Sequence, residues 1–274
     1  MKSKTLKVVS NENGLLYLTF PNIHSEDCVA AFTTRMGGVS RGQYASMNMS
    51  FTGGDDQNAV RQNYNILFNA LGLNPERAVL SHQTHTKNIK IVTEDDIGKG
   101  ISKTRDYENI DGLITNLKGV ALVTQYADCV PLVFYDSEKR VVATSHAGWR
   151  GTVQEIGKET IFKMAAEFGS NPANIMVGIG PSIGSCCYEV DDPVYKEFEK
   201  LSYLNLDEIF TKKQNGKYML NLWLANRRIL ENAGINPQNI CVTDLCTCCN
   251  SHIFHSHRAT GGNRGNLAAI IALK

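Results

Sequence analysis

Histidine and cysteine residues follow three short apolar segments of this chain, at residues 78–80, 120–123 and 141–143. The first segment precedes His82 and His85, the second precedes Cys129, and the third runs into His146. If the segments are neighbouring strands, their ends bring these side chains to one edge of a sheet. Imidazole nitrogen and thiolate sulfur are zinc ligands, and three protein ligands with an open fourth position are typical of a catalytic site. One thiolate and two neutral imidazoles leave Zn²⁺ with a charge of about +1, enough to acidify a water molecule.

The residues alone leave a choice between His82 and His85. Side chains three residues apart share one side of a helical turn but lie on opposite sides of an extended strand. The chain has no compact HExxH or CxxC pair that would strengthen a metal prediction. The candidate ligands are therefore one of these two histidines, together with Cys129 and His146.

Three glycine-rich loops, at residues 34–42, 148–152 and 255–265, carry arginines that could hold an anion. In the second loop Arg150 precedes Thr152, which we expect to cap a helix. A helix N-terminus beside a guanidinium suits a phosphate group. Residues 178–184 have GxGxxxG spacing interrupted by Pro181, which does not predict a dinucleotide site.

Short segments rich in valine and isoleucine alternate with amphipathic segments along the chain. The predicted strands are 15–20, 29–34, 78–80, 89–92, 112–115, 120–125, 132–135, 141–145, 175–180, 240–243 and 268–272. The predicted helices are 59–71, 152–168, 192–198 and 221–233. These strands outnumber those of a doubly wound fold, and no linker or repeat divides the chain. We predict a mixed α/β (α+β) fold with large mixed sheets flanked by helices, in a single domain over residues 1–274.

Composition and charge exclude several classes of protein. The 274 residues include 28 Lys and Arg against 27 Asp and Glu, and the net charge of +1 favours neither a nucleic-acid nor a membrane partner. No segment approaches the roughly 20 apolar residues of a membrane span, and no signal-peptide pattern is present. We predict a cytoplasmic protein whose 8 cysteines are reduced.

Several cysteines lie close together in the second half of the chain. Cys186 and Cys187 are adjacent, and Cys246, Cys248 and Cys249 form a second group. The second group has no distant CxxC partner, so structural or buried thiols are favoured over a second metal or redox cluster.

A set of motifs points to one family. The segments are 33–40 (TTRMGGVS), 82–85 (HQTH), 111–112 (DG), 127–131 (ADCVP), 146–152 (HAGWRGT), 178–183 (GIGPSI) with 187–190 (CYEV), and 256–258 (SHR). In this order the chain resembles the YfiH-type family. Its members were formerly described as multicopper polyphenol oxidoreductases or laccase-domain proteins, and are now regarded as zinc-dependent purine nucleoside phosphorylases. The resemblance covers about residues 30 to 265, and ADC and HAGWRG are its most specific parts.

The resemblance implies a mixed α/β domain with zinc held by His85, Cys129 and His146, which would also be the catalytic residues. His82 then becomes a neighbour of the metal site. The implied reactions are phosphorolysis of adenosine, inosine, guanosine and methylthioadenosine, with adenosine deamination as a side activity. Purine nucleosides and phosphate are the implied partners. The residues expected to contact substrate or phosphate are Arg35, Asn48, Arg150 and Arg258.

The chain departs from the family pattern at three positions. Thr86 replaces the usual glycine after the metal histidine, His255 stands where an aromatic residue is common, and Ala259 stands where a second arginine is frequent. These departures fall beside the metal histidine and in the C-terminal substrate segment, and they leave the three metal ligands intact.

Two other functions compete with this prediction. A copper-dependent, laccase-like polyphenol oxidase needs several copper centres, which 7 histidines hardly supply, although one cysteine with two histidines could bind copper. A non-enzymatic, metal-stabilised binding protein would unfold without its metal and turn over no nucleoside. The number of subunits, one or two, stays open. So does the group that moves protons, for which the candidates are Glu189, Asp128, Asp111 and His82.

Overall fold

Two six-stranded sheets and a small three-stranded sheet form the framework, which a computed structural model describes over residues 1–274. The strands are β1 (Lys7–Ser10), β2 (Leu16–Thr19), β3 (Cys28–Thr33), β4 (Ala78–Leu80), β5 (Ile89–Ile91), β6 (Gly112–Thr115), β7 (Ala121–Tyr126), β8 (Val130–Asp136), β9 (Val141–Ala147), β10 (Met176–Ile179), β11 (Glu189–Val190), β12 (Phe210–Lys212), β13 (Tyr218–Leu220), β14 (Ile240–Val242) and β15 (Leu267–Leu273). The α-helices are α1 (Gln57–Leu71), α2 (Trp149–Val153), α3 (Ile156–Phe168), α4 (Asp192–Glu199), α5 (Leu206–Ile209), α6 (Leu222–Asn232) and α7 (His257–Thr260). The predicted mixed α/β fold with large mixed sheets is confirmed.

The two large sheets are mainly antiparallel, with parallel pairs at their edges. The first has the order β1-β2-β3-β15-β7-β4, and only β4 and β7 run parallel. The second has the order β14-β10-β8-β9-β6-β5, with parallel pairs β10–β14 and β5–β6. The third sheet, β11-β13-β12, is antiparallel.

The large sheets pack face to face, and helices cover their outer faces. One apolar cluster joins Phe32 and Leu122 of the first sheet to Val133 and Val142 of the second. A second cluster packs α1 on the other face of the first sheet. A third packs α3 and α6 on the other face of the second sheet. Because the central strands are buried on both faces, they read as continuous apolar segments, and all seven residues of β15 are buried.

Polar contacts between the sheets fix β7 against β9. The Thr124 and Thr144 hydroxyls share a buried hydrogen bond at 2.8 Å. The Tyr126 hydroxyl donates to Thr124 Oγ1 at 2.8 Å and to the Ser145 carbonyl at 3.1 Å. Buried polar groups that are paired in this way hold one register. The ends of β7 and β9 therefore meet at a defined place.

The predicted helix over 152–168 is wrong at its start. The structure has two helices, α2 and α3, separated by Glu155, whose φ of 57° interrupts the helix. The Thr152 hydroxyl accepts a hydrogen bond from Asn226 of α6, whereas the Thr160 hydroxyl contacts Ser145 of β9, so the two helices pack on different partners. Gly148, not Thr152, occupies the N-cap of α2. None of the helices combines the length and apolar character that a membrane crossing requires.

Candidate metal centre

Three side chains that are distant in sequence meet at one end of the two large sheets. His85 follows β4, Cys129 lies in the turn from β7 to β8, and His146 belongs to β9. Their ligand atoms all lie within 4.8 Å of one another, and Cys129 Sγ is 3.9 Å from His85 Nε2. The expectation of neighbouring strands holds for β4 and β7, but β9 lies in the facing sheet. The group therefore joins both sheets and can hold a metal ion.

Asp111 orients the His146 ring and holds the backbone of His85. It is fully buried, and its Oδ1 accepts hydrogen bonds from His146 Nδ1 at 2.8 Å and from the His85 N–H at 3.0 Å. Its Oδ2 accepts the Thr84 and Thr86 N–H groups at 3.0 and 2.8 Å, and the Thr86 hydroxyl at 2.9 Å. Because Nδ1 of His146 donates, its Nε2 is left to bind the metal, an arrangement common among metal-ligating histidines. The Thr86 that departs from the family pattern supplies two of these donors.

The charges of the centre stabilise a thiolate. Burial opposes ionisation of Cys129, but the His146 and His85 imidazoles outweigh it and lower the pKa of the thiol to about 6. Burial alone would lower the pKa of His146, yet Cys129 and Asp111 raise it to about 9. Burial also opposes ionisation of Asp111, but hydrogen bonds from His146 and from the backbone lower its pKa to about 2. A cation would take the place of the imidazolium proton in this set of negative groups.

The backbone packs closely against two of the three candidate metal ligands. A Cβ at Gly148 would lie 2.9 Å from Cys129 Sγ and 3.0 Å from His85 Cδ2, so glycine lets the chain approach both ligands. His85 and Asp128 have backbone φ angles of 65° and 86°, values that residues other than glycine rarely adopt. Strained backbone of this kind clusters at functional sites. The donor set, the carboxylate partner and the close approach together fit a metal ion.

Asp128 holds the turn that carries Cys129. Its Oδ1 accepts the Thr247 hydroxyl at 2.6 Å, and its Oδ2 accepts the Arg258 N–H at 2.7 Å. The Asp128 carbonyl also accepts the Ile183 N–H at 2.9 Å. These bonds connect the turn to two segments that are far away in sequence.

A cavity of about 1250 Å³ opens beside the three ligands. His85, Cys129 and His146 all line it, together with Arg150 and Arg258 from the predicted substrate contacts. The exposed Arg150 guanidinium lies over the Trp149 ring at 4.4 Å. Arg258 donates to the Cys187 and Glu189 carbonyls at 3.0 and 3.1 Å, so it also fixes one wall.

Arg264 also lines the cavity, although no motif in the sequence indicated it. Its Nη1 donates to Asn266 Oδ1 and to the Gly265 carbonyl, whereas its buried Nε has no partner in the structure. Because Arg264 lines the cavity, its positive charge is suited to an anionic ligand there. The glycine-rich loop 255–265 was the signal for this residue, but the motif within it matched only Arg258.

Arg35 and Asn48 are not among the residues that line the cavity. Arg35 donates from Nε to the Ala45 carbonyl and from Nη1 to the Ser251 carbonyl. The fully buried Asn48 accepts the Asn266 N–H at 2.8 Å and so positions the segment that carries Arg264. Substrate contact by either residue stays a prediction.

The four candidates for proton transfer occupy different environments. The carboxylates of Asp111 and Asp128 accept the hydrogen bonds described above. Glu189 forms ion pairs with Lys213 and Lys217. His82 lines the cavity, and its Nδ1 accepts the Asn109 N–H at 3.1 Å. That bond places the ring proton of neutral His82 on Nε2.

The buried His255, which lies under the loop of Arg264, is expected to make the fold less stable in acid. Burial lowers its pKa to about 3, and Arg35 and Arg264 add to the effect. The unfolded chain binds this proton below about pH 6.5, so the stability from neutral His255 is complete above that pH and is lost as the pH falls toward 3. From pH 7 to pH 4.5 the group should lower the free energy of unfolding by about 2.5 kcal/mol.

Chemical denaturation of the wild type and His255→Gln at both pH values measures this contribution. Glutamine keeps an acceptor for the Gly265 N–H, which now donates to His255 Nδ1, but does not titrate. The variant should lose correspondingly less stability in acid. Equal losses in the two proteins would contradict the assignment.

Comparisons with known proteins agree with this fold. The family model described as "Multi-copper polyphenol oxidoreductase laccase" matches residues 29–274. The purine nucleoside phosphorylase YlmD of Bacillus subtilis is 36% identical over 257 residues, 92% of this chain and 91% of the relative. The adenosine deaminase RL5, from an unknown prokaryotic organism, is 35% identical over 244 residues, 88% of this chain and 92% of the relative. The crystal structure of Bacillus licheniformis YfiH superposes with a TM-score of 0.91 at 34% identity, covering 97% of this chain and 99% of that chain.

Proposed function

The chain belongs to the laccase-domain (YfiH-type) family, and from that premise we propose that it is a zinc-dependent purine nucleoside phosphorylase. It would cleave adenosine, inosine, guanosine and methylthioadenosine with phosphate, and deaminate adenosine as a side activity. The observation that carries the proposal is the His85–Cys129–His146 group at the wall of an arginine-lined cavity. Relatives named as a purine nucleoside phosphorylase and as an adenosine deaminase support the two activities.

The ligands themselves favour zinc over harder cations. One thiolate and two imidazoles form a donor set that zinc accepts, and a carboxylate-bound histidine is common in zinc sites. A bound zinc ion would supply a Lewis-acidic positive charge with an open coordination position beside the substrate. His85, Cys129 and His146 would hold it, and Asp111 would keep the His146 ring in the orientation that presents Nε2.

The remaining residues of the cavity would perform the other parts of phosphorolysis. Arg264 and Arg150 would hold phosphate against the anomeric carbon while the N-glycosidic bond stretches, so that positioning and charge stabilisation lower the barrier. The departing purine must gain a proton, and His82 is the candidate for proton transfer that lines the cavity without a carboxylate or lysine partner. Deamination needs the same proton for departing ammonia.

Product analysis of the zinc-loaded protein with adenosine, with and without phosphate, tests the proposal. Adenine and ribose 1-phosphate that form only with phosphate would be phosphorolysis, and inosine would be deamination. The same assay with methylthioadenosine, inosine and guanosine defines the substrate range. Absence of both reactions in folded, metal-loaded protein would refute the proposal.

Copper is the alternative metal that the family description suggests, because a cysteine with two histidines can also bind copper. A site with a sulfur donor binds copper more tightly than zinc, so the protein can acquire copper during purification. The metal content must therefore be measured as a control. Protein prepared without added copper should contain zinc and oxidise no phenol. Stoichiometric copper with phenol turnover would favour the polyphenol oxidase.

Replacing Arg264 with glutamine should weaken the use of phosphate. Loss of a charge-assisted hydrogen bond costs about 1.5–3 kcal/mol, so kcat/KM for phosphate should fall about 10–100-fold. The matched control is Arg61→Gln, since Arg61 also lines the cavity but donates to the Ile101 carbonyl. Steady-state kinetics with varied phosphate measures both variants. Equal effects in the two, or no effect at Arg264, would remove Arg264 from the phosphate site.

A further inference from the structure

A second group of sulfur atoms lies outside the metal centre described above. Cys186 and Cys187 belong to the segment between β10 and β11, whereas Cys246 and Cys249 belong to the segment between β14 and α7. The four Sγ atoms all lie within 4.8 Å of one another. Cys249 Sγ is 3.4 Å from the Sγ atoms of both Cys186 and Cys187. Cys186 and Cys249 are exposed, whereas Cys246 is buried.

The spacing of these sulfurs matches a tetrahedral site. Four thiolates at about 2.3 Å from zinc lie about 3.8 Å from one another along the edges of a tetrahedron. The contacts at 3.4 Å and the limit of 4.8 Å for the whole group bracket that value. A disulfide joins only two sulfurs, whereas this group brings four together. Closed sets of four cysteines are typical of structural zinc.

Backbone N–H groups already serve one sulfur of the group. Cys246 Sγ accepts the Gly184 N–H at 3.2 Å and the Cys249 N–H at 3.5 Å. Four thiolates around a divalent cation carry a net charge of −2, and N–H donors offset such charge. The Sγ of Cys246 is thus held in place before any metal arrives.

The two segments are fixed against each other by the backbone. The Thr247 N–H donates across to the Ser182 carbonyl at 3.0 Å. Within the second segment, the Asn250 N–H donates to the Cys246 carbonyl at 3.1 Å. A Cβ on Gly184 would meet Cys186 Sγ at 3.3 Å and Cys246 Cβ at 3.2 Å, so glycine permits the close approach. These contacts lower the conformational cost of bringing four ligands together.

We propose that Cys186, Cys187, Cys246 and Cys249 form a second, structural zinc site, separate from the centre at Cys129. Binding displaces the thiol protons and leaves no position open to substrate. The cation would cross-link two segments that border the cavity. Arg258 donates to the Cys187 carbonyl, and Tyr188 lines the cavity, so the site would stiffen this wall.

Zinc content of the full chain tests the proposal without reference to nucleoside turnover. Protein kept reduced, stripped by chelation, reloaded with zinc and freed of excess metal should contain two zinc ions per chain, one for each group. The double variant Cys186→Ser/Cys249→Ser should lose one ion, and Cys129→Ala should lose the other. The matched control Cys248→Ser, in the same segment but outside the group, should keep both.

Cobalt substitution identifies the ligands of the second site. In Cys129→Ala, cobalt should produce intense near-ultraviolet bands from thiolate-to-metal charge transfer, and the triple variant with Cys186→Ser and Cys249→Ser should lose them. Absence of zinc from reloaded Cys129→Ala, or a disulfide between these segments in zinc-loaded protein, would overturn the proposal. If the double variant does not fold, the zinc retained by Cys129→Ala decides the question.

Discussion

Replacing Cys129 with alanine is expected to remove one zinc ion per chain and to lower kcat/KM for adenosine phosphorolysis at least about 100-fold. The thiolate is the one negatively charged ligand among His85, Cys129 and His146. Without the thiolate, two imidazoles alone must hold the cation. The lowered pKa of Cys129 is consistent with a site that favours a thiolate beside positive charge. Elemental analysis gives the zinc content, and steady-state kinetics gives the rate.

The matched control for Cys129→Ala is Cys241→Ala. Cys241 is also partly buried, and its Sγ donates to the Thr5 carbonyl at 3.4 Å, in β14 and outside both groups of metal-ligating residues. This control should keep its zinc and its activity. Full activity in Cys129→Ala would refute the metal centre as the catalytic site.

Asp111→Asn is expected to weaken zinc binding about 10–100-fold and to destabilise the fold by about 3–5 kcal/mol. Both oxygens of Asp111 accept N–H donors: Oδ1 from His85 and His146, and Oδ2 from Thr84 and Thr86. Whichever way the asparagine amide turns, its NH₂ group faces donors and leaves them without an acceptor. Competition with a zinc chelator measures affinity, and denaturation of the metal-free protein measures stability.

Asp96→Asn separates the effect on the metal from the loss of a buried carboxylate. Asp96 is also buried, and it pairs with Lys90 and Lys99 away from the metal ligands. Asp96→Asn should cost stability yet leave zinc affinity unchanged. If both variants lowered zinc affinity equally, Asp111 would have no specific role in orienting His146.

Most strands of the large sheets could be predicted because they are buried on both faces. Such strands are short apolar segments bounded by polar or glycine residues, as in β9 and β15. The missed strands, β1 and the small sheet of β11, β12 and β13, have two to four residues, and none of them is buried along its whole length. Their hydrogen-bonding partners, rather than their own composition, make them strands.

The helix break at Glu155 could not be read from periodicity. Apolar residues continue at helical spacing from Val153 into α3, so the pattern predicts one helix. Contacts with two different partners, Asn226 and Ser145, set the two helix axes. Such tertiary preferences override local propensity.

The metal ligands could be anticipated only in part. Ends of apolar segments indicated His146, Cys129 and the pair His82 and His85, and the resemblance selected His85. The role of Asp111 was not predictable, since its five side-chain hydrogen bonds depend on how the loop after β4 folds around it. The same holds for the four-cysteine group, whose halves are about 60 residues apart in sequence and meet only through the fold.

Anomalous diffraction at the zinc absorption edge, from crystals of protein purified without added metal, tests the central claim most directly. We expect a zinc peak enclosed by His85 Nε2, Cys129 Sγ and His146 Nε2, with Asp111 still bonded to His146 Nδ1. A peak that appears only at the copper edge, or no peak between these three residues in metal-loaded crystals, would contradict a zinc centre at this place.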